Sequence, residues 1–322
     1  MRRSPDVVVF RRGTEALSPA AYAEEIRTRL PEWEVTLART PRAERELLPA
    51  ARVATGIAIA EEQVAVADEL ELFVVASSGT DHLPMDALRE RGVLVANAAG
   101  IHAPGIAEQV LGYLLSFARG IHRGIRQQAD RRWRHYQASE LQGSTVAVVG
   151  LGAIGHAVVE RLAPFGVETI GVRYTPSKGG PTDEVLGFDE DDVHDALARS
   201  DYVVLCSPLT ETTRHLVGRA EIETLGPDAV LVNVGRGPLV DFEALTTALQ
   251  VGDLGGAALD VTDPEPLPND HPLWDLDNVV ITPHMGGHTP HHWARLADVL
   301  AENARLLGSD ADPSEFRNLV EE

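Results

Sequence analysis

Cysteine and lysine are nearly absent from this chain of 322 residues: Cys206 is the only cysteine and Lys178 the only lysine. A single cysteine excludes an internal disulfide and fits a reducing compartment. No apolar run approaches the roughly 20 residues that a membrane-spanning helix needs. Internal repeats and low-complexity tails are missing as well. Positive charge is scarce, with 28 Lys and Arg against 49 Asp and Glu, a net charge of −21. That balance argues against nucleic acid or an anionic membrane as a partner. It fits a chain adapted to very high salt, as in an extreme halophile. At about 1 M salt the Debye length is only about 3 Å, so acidic self-repulsion is screened while carboxylates keep the surface hydrated. A GC-rich genome accounts for the missing lysines but not for a charge of −21. The start, MRRSPDVVVF, carries two arginines, but Asp6 follows at once and the apolar run is short. It reads as a first strand and not a secretion signal, so a cytoplasmic protein is expected.

What the chain does contain is organised around TVAVVGLGAIG, which begins at Thr145. Val146, Val148 and Val149 read as a buried parallel strand. Gly150, Gly152 and Gly155 form a G-x-G-x-x-G turn into a helix that opens with Ala153 and Ile154. In such a turn the first glycine permits the tight bend. The second lets a pyrophosphate approach the backbone, and the third lets helix and strand pack closely. The helix N-terminus offers free N–H groups and partial positive charge to the phosphates. Glycines also mark ordinary turns, but here a strand and a helix flank them, which favours dinucleotide binding.

Around that turn the chain reads as two α/β series, as its length allows. In the first, strands are expected at residues 6–10, 34–38, 53–59, 72–76 and 93–96. Ser18 before Pro19 caps a helix running to about Leu30, and helices are also expected at 61–69 and 84–91. A long helix with few charges is expected over 103–127, followed by a polar loop at 129–140. The second series has strands at 145–149, 168–172, 201–205, 229–233, 255–259 and 279–282. Helices such as 153–164 and 242–250 lie between them, and 179–187 reads as a loop. An amphipathic helix at 290–307 comes after the second sheet is complete. It is free to return to the first domain, and the last dozen residues look frayed.

Ligands bind parallel sheets at the carboxyl ends of strands. Three segments put polar residues there: NVGRG from Asn233, DVTDPEP from Asp260 and PHMGG from Pro283. Each residue alone has a structural reading. Arg236 fits a surface turn, Glu265 an exposed loop between prolines, and His284 a satisfied histidine. His288, His291 and His292 hint at a metal, but no cysteine or carboxylate cluster completes a ligand set, so none is expected. Together the three make chemical sense. A histidine gives or takes a proton near neutrality. A glutamate orients the ring and favours its charged form. An arginine clamps a carboxylate and polarises an adjacent carbonyl. With a nicotinamide these parts describe reversible reduction of a 2-oxo acid.

The segments ASSGTDHLPMDAL from Ala76, NAAGIHAPGIAEQVLGYLL from Asn97, LQGSTVAVVGLGAIG from Leu141, CSPLTETTRHLV from Cys206, NVGRGPLVD from Asn233, ALDVTDPEPLP from Ala258 and TPHMGG from Thr282 agree in order and spacing with a known family. The chain resembles the D-isomer-specific 2-hydroxyacid dehydrogenases along nearly all its length. The resemblance implies an α/β fold of two doubly wound parallel-sheet domains. A Rossmann-type coenzyme domain would span 101–285. A smaller flavodoxin-like substrate domain, acting as a lid, would span 1–100 with 286–322. It implies that Arg236, Glu265 and His284 are catalytic. The amides around Ser78 and Gly79 would hold the substrate carboxylate from the lid side, with Arg236 and His284 as further substrate-binding residues. Cys206, Pro208 and Thr213 would line the adenosine half of the cofactor, with Val234, Arg236 and Asp260 near the nicotinamide and Gly287 a further cofactor contact. Asp260 would accept from the carboxamide. A homodimer through the coenzyme domain is implied as well.

One position departs from the NAD pattern. An acid is expected at the end of the second strand, about 20 residues past the glycines, to accept from the ribose 2′-OH. Arg173 stands there, followed by Tyr174 and Thr175, with Ser177 and Lys178 close behind. A guanidinium pairs with a 2′-phosphate that a carboxylate would repel. NADPH is therefore the expected cofactor, with NADH weaker; stacking of Arg173 on adenine without selection is the alternative. The expected reaction is NADPH-dependent reduction of a small 2-oxo acid to the D-2-hydroxy acid, with the proton from His284. Its variants are a glyoxylate/hydroxypyruvate reductase of narrow range or a non-catalytic dinucleotide-sensing co-regulator. A phosphoglycerate dehydrogenase is less expected because no regulatory domain follows residue 322, and a formate dehydrogenase because glutamine would replace Glu265. Substrate walls are expected from residues 78–85, from 133–136 and from residues after His284 such as Trp293.

The acidic balance generates a first prediction. The unfolding temperature and catalytic activity should both rise as KCl is taken from about 0.1 M to about 2 M. Full stability and activity in dilute buffer would contradict the high-salt reading.

Overall fold

The computed structural model describes residues 5–13 and 18–320. The opening MRRS of the sequence lies outside them. The chain divides into two compact units, Met1–Ile101 with Thr289–Glu322, and His102–His288.

In the first unit, strands β1 (Val7–Val9), β2 (Val35–Leu37), β3 (Val53–Gly56), β4 (Leu72–Val75) and β5 (Leu94–Ala96) form a wholly parallel sheet of order β2-β1-β3-β4-β5. The strands are shorter than expected by a residue or more at most ends. Helix α1 (Pro19–Arg29) starts where Ser18 Oγ accepts from the Ala20 amide at 3.2 Å. A second helix, α2 (Pro41–Leu47), was not anticipated, although Thr40 before Pro41 is the same cap-and-proline signal. Helices α3 (Glu61–Val64) and α4 (Met85–Glu90) are brief. Alternate strand residues face opposite cores. Val7, Val9, Val53, Leu72 and Val74 point to one face, and Val8, Ala54, Phe73 and Val75 to the other.

The second unit opens with α5 (Ala103–Ala118) and α6 (Ile121–Ala129). The single long helix expected here is broken because Gly120 takes a left-handed conformation, φ 63°, and the Tyr136 hydroxyl donates to its carbonyl at 2.8 Å. The sheet then runs β6 (Thr145–Val149), α7 (Ala153–Leu162), β7 (Glu168–Val172), β8 (Glu184–Leu186), α8 (Glu190–Ala198), β9 (Tyr202–Leu205), α9 (Arg219–Thr224), β10 (Val230–Asn233), α10 (Phe242–Val251), β11 (Gly256–Leu259) and β12 (Val279–Ile281). Strand β8 lies inside the segment read as a loop. It pairs with β7, and the Asp183 carboxylate just before it accepts from the Thr169 amide and hydroxyl, both at 2.8 Å. All seven strands are parallel, in the order β12-β11-β10-β9-β6-β7-β8. The chain adds strands outward from β6 on one side, to β7 and β8, and then on the other, from β9 to β12, which makes the gap between β6 and β9 the topological switch point. Val146 and Val148 enter one core, against α5 and α7, while Ala147 and Val149 enter the other, against α8 and α10. Both units are thus doubly wound α/β layers.

Helix α11 (His292–Leu306) packs on α1 within the first unit, where Trp293 stacks on Tyr22 at 4.5 Å between ring centroids. Trp293 is therefore a core residue of the first unit and not an exposed pocket wall. The residues after α11 are ordered by specific bonds where fraying was expected. Fully buried Asn303 donates to the Arg317 carbonyl and accepts from its amide, at 2.8 and 2.7 Å. Leu319 forms an antiparallel bridge to Ala96. Trp133, a second aromatic expected to wall the substrate, is 94% exposed. Among the described residues no helix is long and apolar enough to cross a membrane.

Candidate active site

Because every strand of the larger sheet runs the same way, the loops after β6, β7, β9, β10, β11 and β12 all leave at one edge. Gly150 follows β6 with φ 103°, and Gly152 caps α7. A side chain at Gly155 would run into the Gly150 carbonyl, so helix and turn pack as tightly as the G-x-G-x-x-G reading requires. Ala153 and Gly152 are exposed at the helix start, and Ile154 is half-buried. Beside the turn, after β9, the hydroxyl of Ser207 is buried with no hydrogen-bond partner in the chain. This orphaned donor beside a glycine cradle fits a phosphate- or ribose-bearing ligand. Sequence reasoning passed over Ser207, whose only signal was its place next to Cys206 at a strand end.

Cys206 sits under the turn, its Sγ donating to the Gly150 carbonyl at 3.1 Å. Burial pushes the thiol up to about 12. Thr213 spends its hydroxyl inside the chain, donating to the Pro208 carbonyl at 2.7 Å and accepting from the Thr210 amide at 2.8 Å. It therefore closes the 208–213 turn. After β7, the Arg173 guanidinium donates to the Gly179 carbonyl, which ties the strand end to the short turn Pro176–Lys178. One of its five N–H donors is used there. Tyr174 beside it is 81% exposed, and Ser177 and Lys178 are exposed as well.

The loop after β10 carries Arg236, exposed at its tip. Buried Asn233 shapes it, donating to the Arg236 carbonyl at 2.9 Å and accepting from the Gly235 amide at 3.1 Å. Val234 is buried and donates its amide to the Leu205 carbonyl at 3.1 Å. Gly237 lies so close to the Thr262 carbonyl that any side chain would clash, so the Arg236 loop rests directly on the segment that leads to Glu265. That segment is held in turn by the Thr262 hydroxyl, which donates to the Pro264 carbonyl at 2.9 Å. The Glu265 carboxylate meets Nδ1 of His284 at 2.6 Å, with the two side chains 42% and 49% exposed. Nδ1 is thereby engaged, and Nε2 is the ring nitrogen left for a ligand.

His284 has φ 49°, a left-handed backbone rare for a residue with a side chain. Asp260 holds it there. Three successive amides converge on that one residue: His284 on its carbonyl at 2.8 Å, Met285 on Oδ1 at 3.0 Å and Gly286 on Oδ2 at 2.9 Å. Oδ1 also accepts from Gln109 at 2.7 Å and Thr282 at 2.5 Å. The expected acceptor of a carboxamide is thus largely occupied by the chain itself, and any further donor would have to reach Oδ2. Desolvation pushes the neighbouring Tyr113 phenol up to about 12, keeping it a donor. Gly287 follows, packed against the His102 ring.

In the first unit, Ser78 and Gly79 lie exposed in the loop after β4. The Ser77 hydroxyl donates to the Gly79 carbonyl and Asn97 to the Ser78 carbonyl, both at 2.8 Å. Asn318 in turn donates to the Asn97 carbonyl at 3.1 Å. His292 lies edge-on to Trp293 in this unit. Among the described residues no group of three or more His, Cys, Asp or Glu side chains is placed to hold a metal ion.

Residues 111–286 match the family model described as D-isomer specific 2-hydroxyacid dehydrogenase, NAD binding domain. The chain belongs to this family. A glyoxylate reductase of Thermofilum pendens is 36% identical over 75% of this chain and 73% of its own length. A D-3-phosphoglycerate dehydrogenase of Methanocaldococcus jannaschii is 35% identical over 79% of this chain, but this chain spans only 49% of that relative. The crystal structure of a D-isomer specific 2-hydroxyacid dehydrogenase from Xanthobacter autotrophicus Py2, in complex with NADPH and MES, is 28% identical, with a TM-score of 0.79 over 98% of each chain. The protein is accordingly an oxidoreductase of the D-2-hydroxyacid dehydrogenase family with a dinucleotide-binding Rossmann unit. Asn233, Gln109, Tyr113 and Thr282 fall within segments that carry the family resemblance but were given no role of their own, because a residue that shapes a loop from behind shows its task only through its contacts.

A thiol raised to about 12 is almost wholly protonated at pH 8, so Cys206 should react slowly with a disulfide reagent in the native protein. Its rate should climb towards higher pH and jump in denaturant. Fast labelling of the folded protein at pH 8 would contradict this placement.

Proposed function

We propose that this chain reduces small 2-oxo acids to D-2-hydroxy acids with NADPH. The reading rests on one observation above all: a histidine paired with a glutamate at 2.6 Å, on the same sheet edge as a glycine cradle. A bound nicotinamide dinucleotide would supply the hydride. Gly150, Gly152, Ala153, Ile154 and Gly155 would hold its pyrophosphate, with Ser207 as an added donor. Cys206, Pro208 and Thr213 would line the adenosine half. Val234, Asp260 and Gly287 would lie towards the nicotinamide, Asp260 through Oδ2 only.

The protein's own chemistry is then acid catalysis and charge positioning. His284 holds a proton on Nε2 and delivers it to the carbonyl oxygen. Glu265 keeps the ring oriented and offsets its positive charge. Arg236 clamps the substrate carboxylate and polarises the carbonyl. The amides of Ser78 and Gly79 are proposed as further carboxylate contacts. The free donors of Arg173, with Tyr174 and Thr175, are the proposed 2′-phosphate site. The NADPH in the Xanthobacter structure supports that choice by analogy. A glyoxylate/hydroxypyruvate reductase of narrow range is the second reading, favoured by the Thermofilum relative. Exposed Ile121, Ile125 and Trp133 support a homodimer built on the coenzyme unit, and an enzyme of the cytoplasm in a salt-rich cell is the proposed setting.

Two measurements test this. With NADPH and a panel of pyruvate, glyoxylate, hydroxypyruvate and 2-oxoisocaproate, His284→Ala should lower kcat by about 10²–10⁴ while leaving the NADPH Kd near wild type. Turnover close to wild type would overturn the acid assignment. Arg173→Asp should move preference from NADPH towards NADH. Equal kcat/KM for both cofactors in the parent enzyme, or unchanged preference in the variant, would overturn the cofactor assignment.

A further inference from the structure

We propose that Gln109 and Tyr113, on helix α5, are positioning residues for His284 and act through Asp260. The inference rests on the reading of His284 as the proton donor, and it adds a part of the machinery that comes from outside the sheet edge.

The argument is a count of hydrogens. The Gln109 amide nitrogen has three oxygen neighbours: Tyr113 Oη at 2.5 Å, Asp260 Oδ1 at 2.7 Å and Thr282 Oγ1 at 2.9 Å. It has only two hydrogens to give. Tyr113 Oη also contacts Thr282 Oγ1, and Thr282 Oγ1 contacts Asp260 Oδ1 at 2.5 Å. One ordering satisfies the shortest contacts with each hydrogen used once. Gln109 donates to Asp260 and to Tyr113, Tyr113 donates to Thr282, and Thr282 donates to Asp260. The amide cannot be turned over, because its oxygen would then face the carboxylate. All the hydrogens of the ring therefore run towards Asp260 Oδ1.

That direction matters because of what Asp260 holds. Its two carboxylate oxygens grip the amides of Met285 and Gly286, immediately after His284. Tyr113 and Asp260 are buried, so no water competes for these bonds. A carboxylate with one fewer donor behind it is held less firmly by Thr282, Met285 and Gly286 alone, and any rotation would loosen the left-handed turn that aims the His284 ring at Glu265. Gln109 and Tyr113 touch neither His284 nor Glu265 among the described hydrogen bonds, so their effect has to travel through this grip.

The test compares Gln109→Leu and Tyr113→Phe with the parent, using proton NMR of the histidine rings and steady-state kinetics. The His284 ring signal is assigned by its loss in His284→Ala. In Gln109→Leu the signal should shift or double, with kcat falling between about tenfold and a hundredfold and the NADPH Kd unchanged. Tyr113→Phe keeps the Gln109–Asp260 bond and should show the same change at smaller size. A donor-bearing Gln109→His should recover part of the loss. If Gln109→Leu does not fold, Tyr113→Phe decides by itself, since it removes one oxygen and keeps the ring. A His284 signal and kcat identical to the parent in the folded variants would overturn the proposal. Failure of the parent to reduce any 2-oxo acid would overturn the functional reading instead, while the ring signal would still report on positioning.

Discussion

The constraint on which this molecule depends is that its sheets are parallel throughout. Parallel strands spend their backbone hydrogen bonds on the ladder and require a return crossover after each strand. Every strand therefore ends at the same edge, and every loop there is free for chemistry. Residues as far apart in the chain as Gly150, Arg236, Glu265 and His284 come to that edge because β6, β10, β11 and β12 share one direction. The smaller sheet obeys the same rule, which places Ser78 and Asn97 at its own edge.

Bringing loops to one edge does not fix where their side chains point. That task falls to buried polar residues one step behind. Asn233 closes the loop under Arg236 by bonding its own neighbours, and Asp260 draws in three amides to hold His284. A left-handed backbone at a residue with a side chain costs about 1–3 kcal/mol. A single hydrogen bond to a charged group returns about 1.5–3 kcal/mol. Four donors on one buried carboxylate, the side chains of Gln109 and Thr282 and the amides of Met285 and Gly286, therefore outweigh the strain. The histidine is held in place by the sum of these bonds, each of which contributes.

The surface follows a different logic. Arginine carries nearly all the positive charge, and its ion pairs with Glu and Asp are largely exposed, such as Arg89 with Asp86 and Arg317 with Glu302. Pairs of this kind add little to stability and weaken as salt rises. The excess of acid is better understood as a hydration layer than as a network that holds the fold.

Much was legible in the sequence. Runs of valine and alanine at residues 145–149 and 229–233 had to be buried strands, and Ser18-Pro19 had to start a helix, because local propensity and capping decide those features. The position of the glycine turn, Arg236, Glu265 and His284 at one sheet edge was legible because they sit just past such strands. Elsewhere local signals were too weak. Strand β8 is brief and set among glycines, so only pairing with β7 makes it a strand. The tail after α11 is polar, so only Asn303 and β5 order it. Trp293 looked available for a pocket until α11 returned to stack it on Tyr22. The sequence by itself thus determined most of the elements, the family and the residues proposed to carry chemistry, since all of these follow from short-range pattern and spacing. The tertiary structure alone decided what stands behind them: Gln109 and Tyr113 lie on a helix some 150 residues before Asp260, and no pattern along the chain can connect groups that only packing brings together.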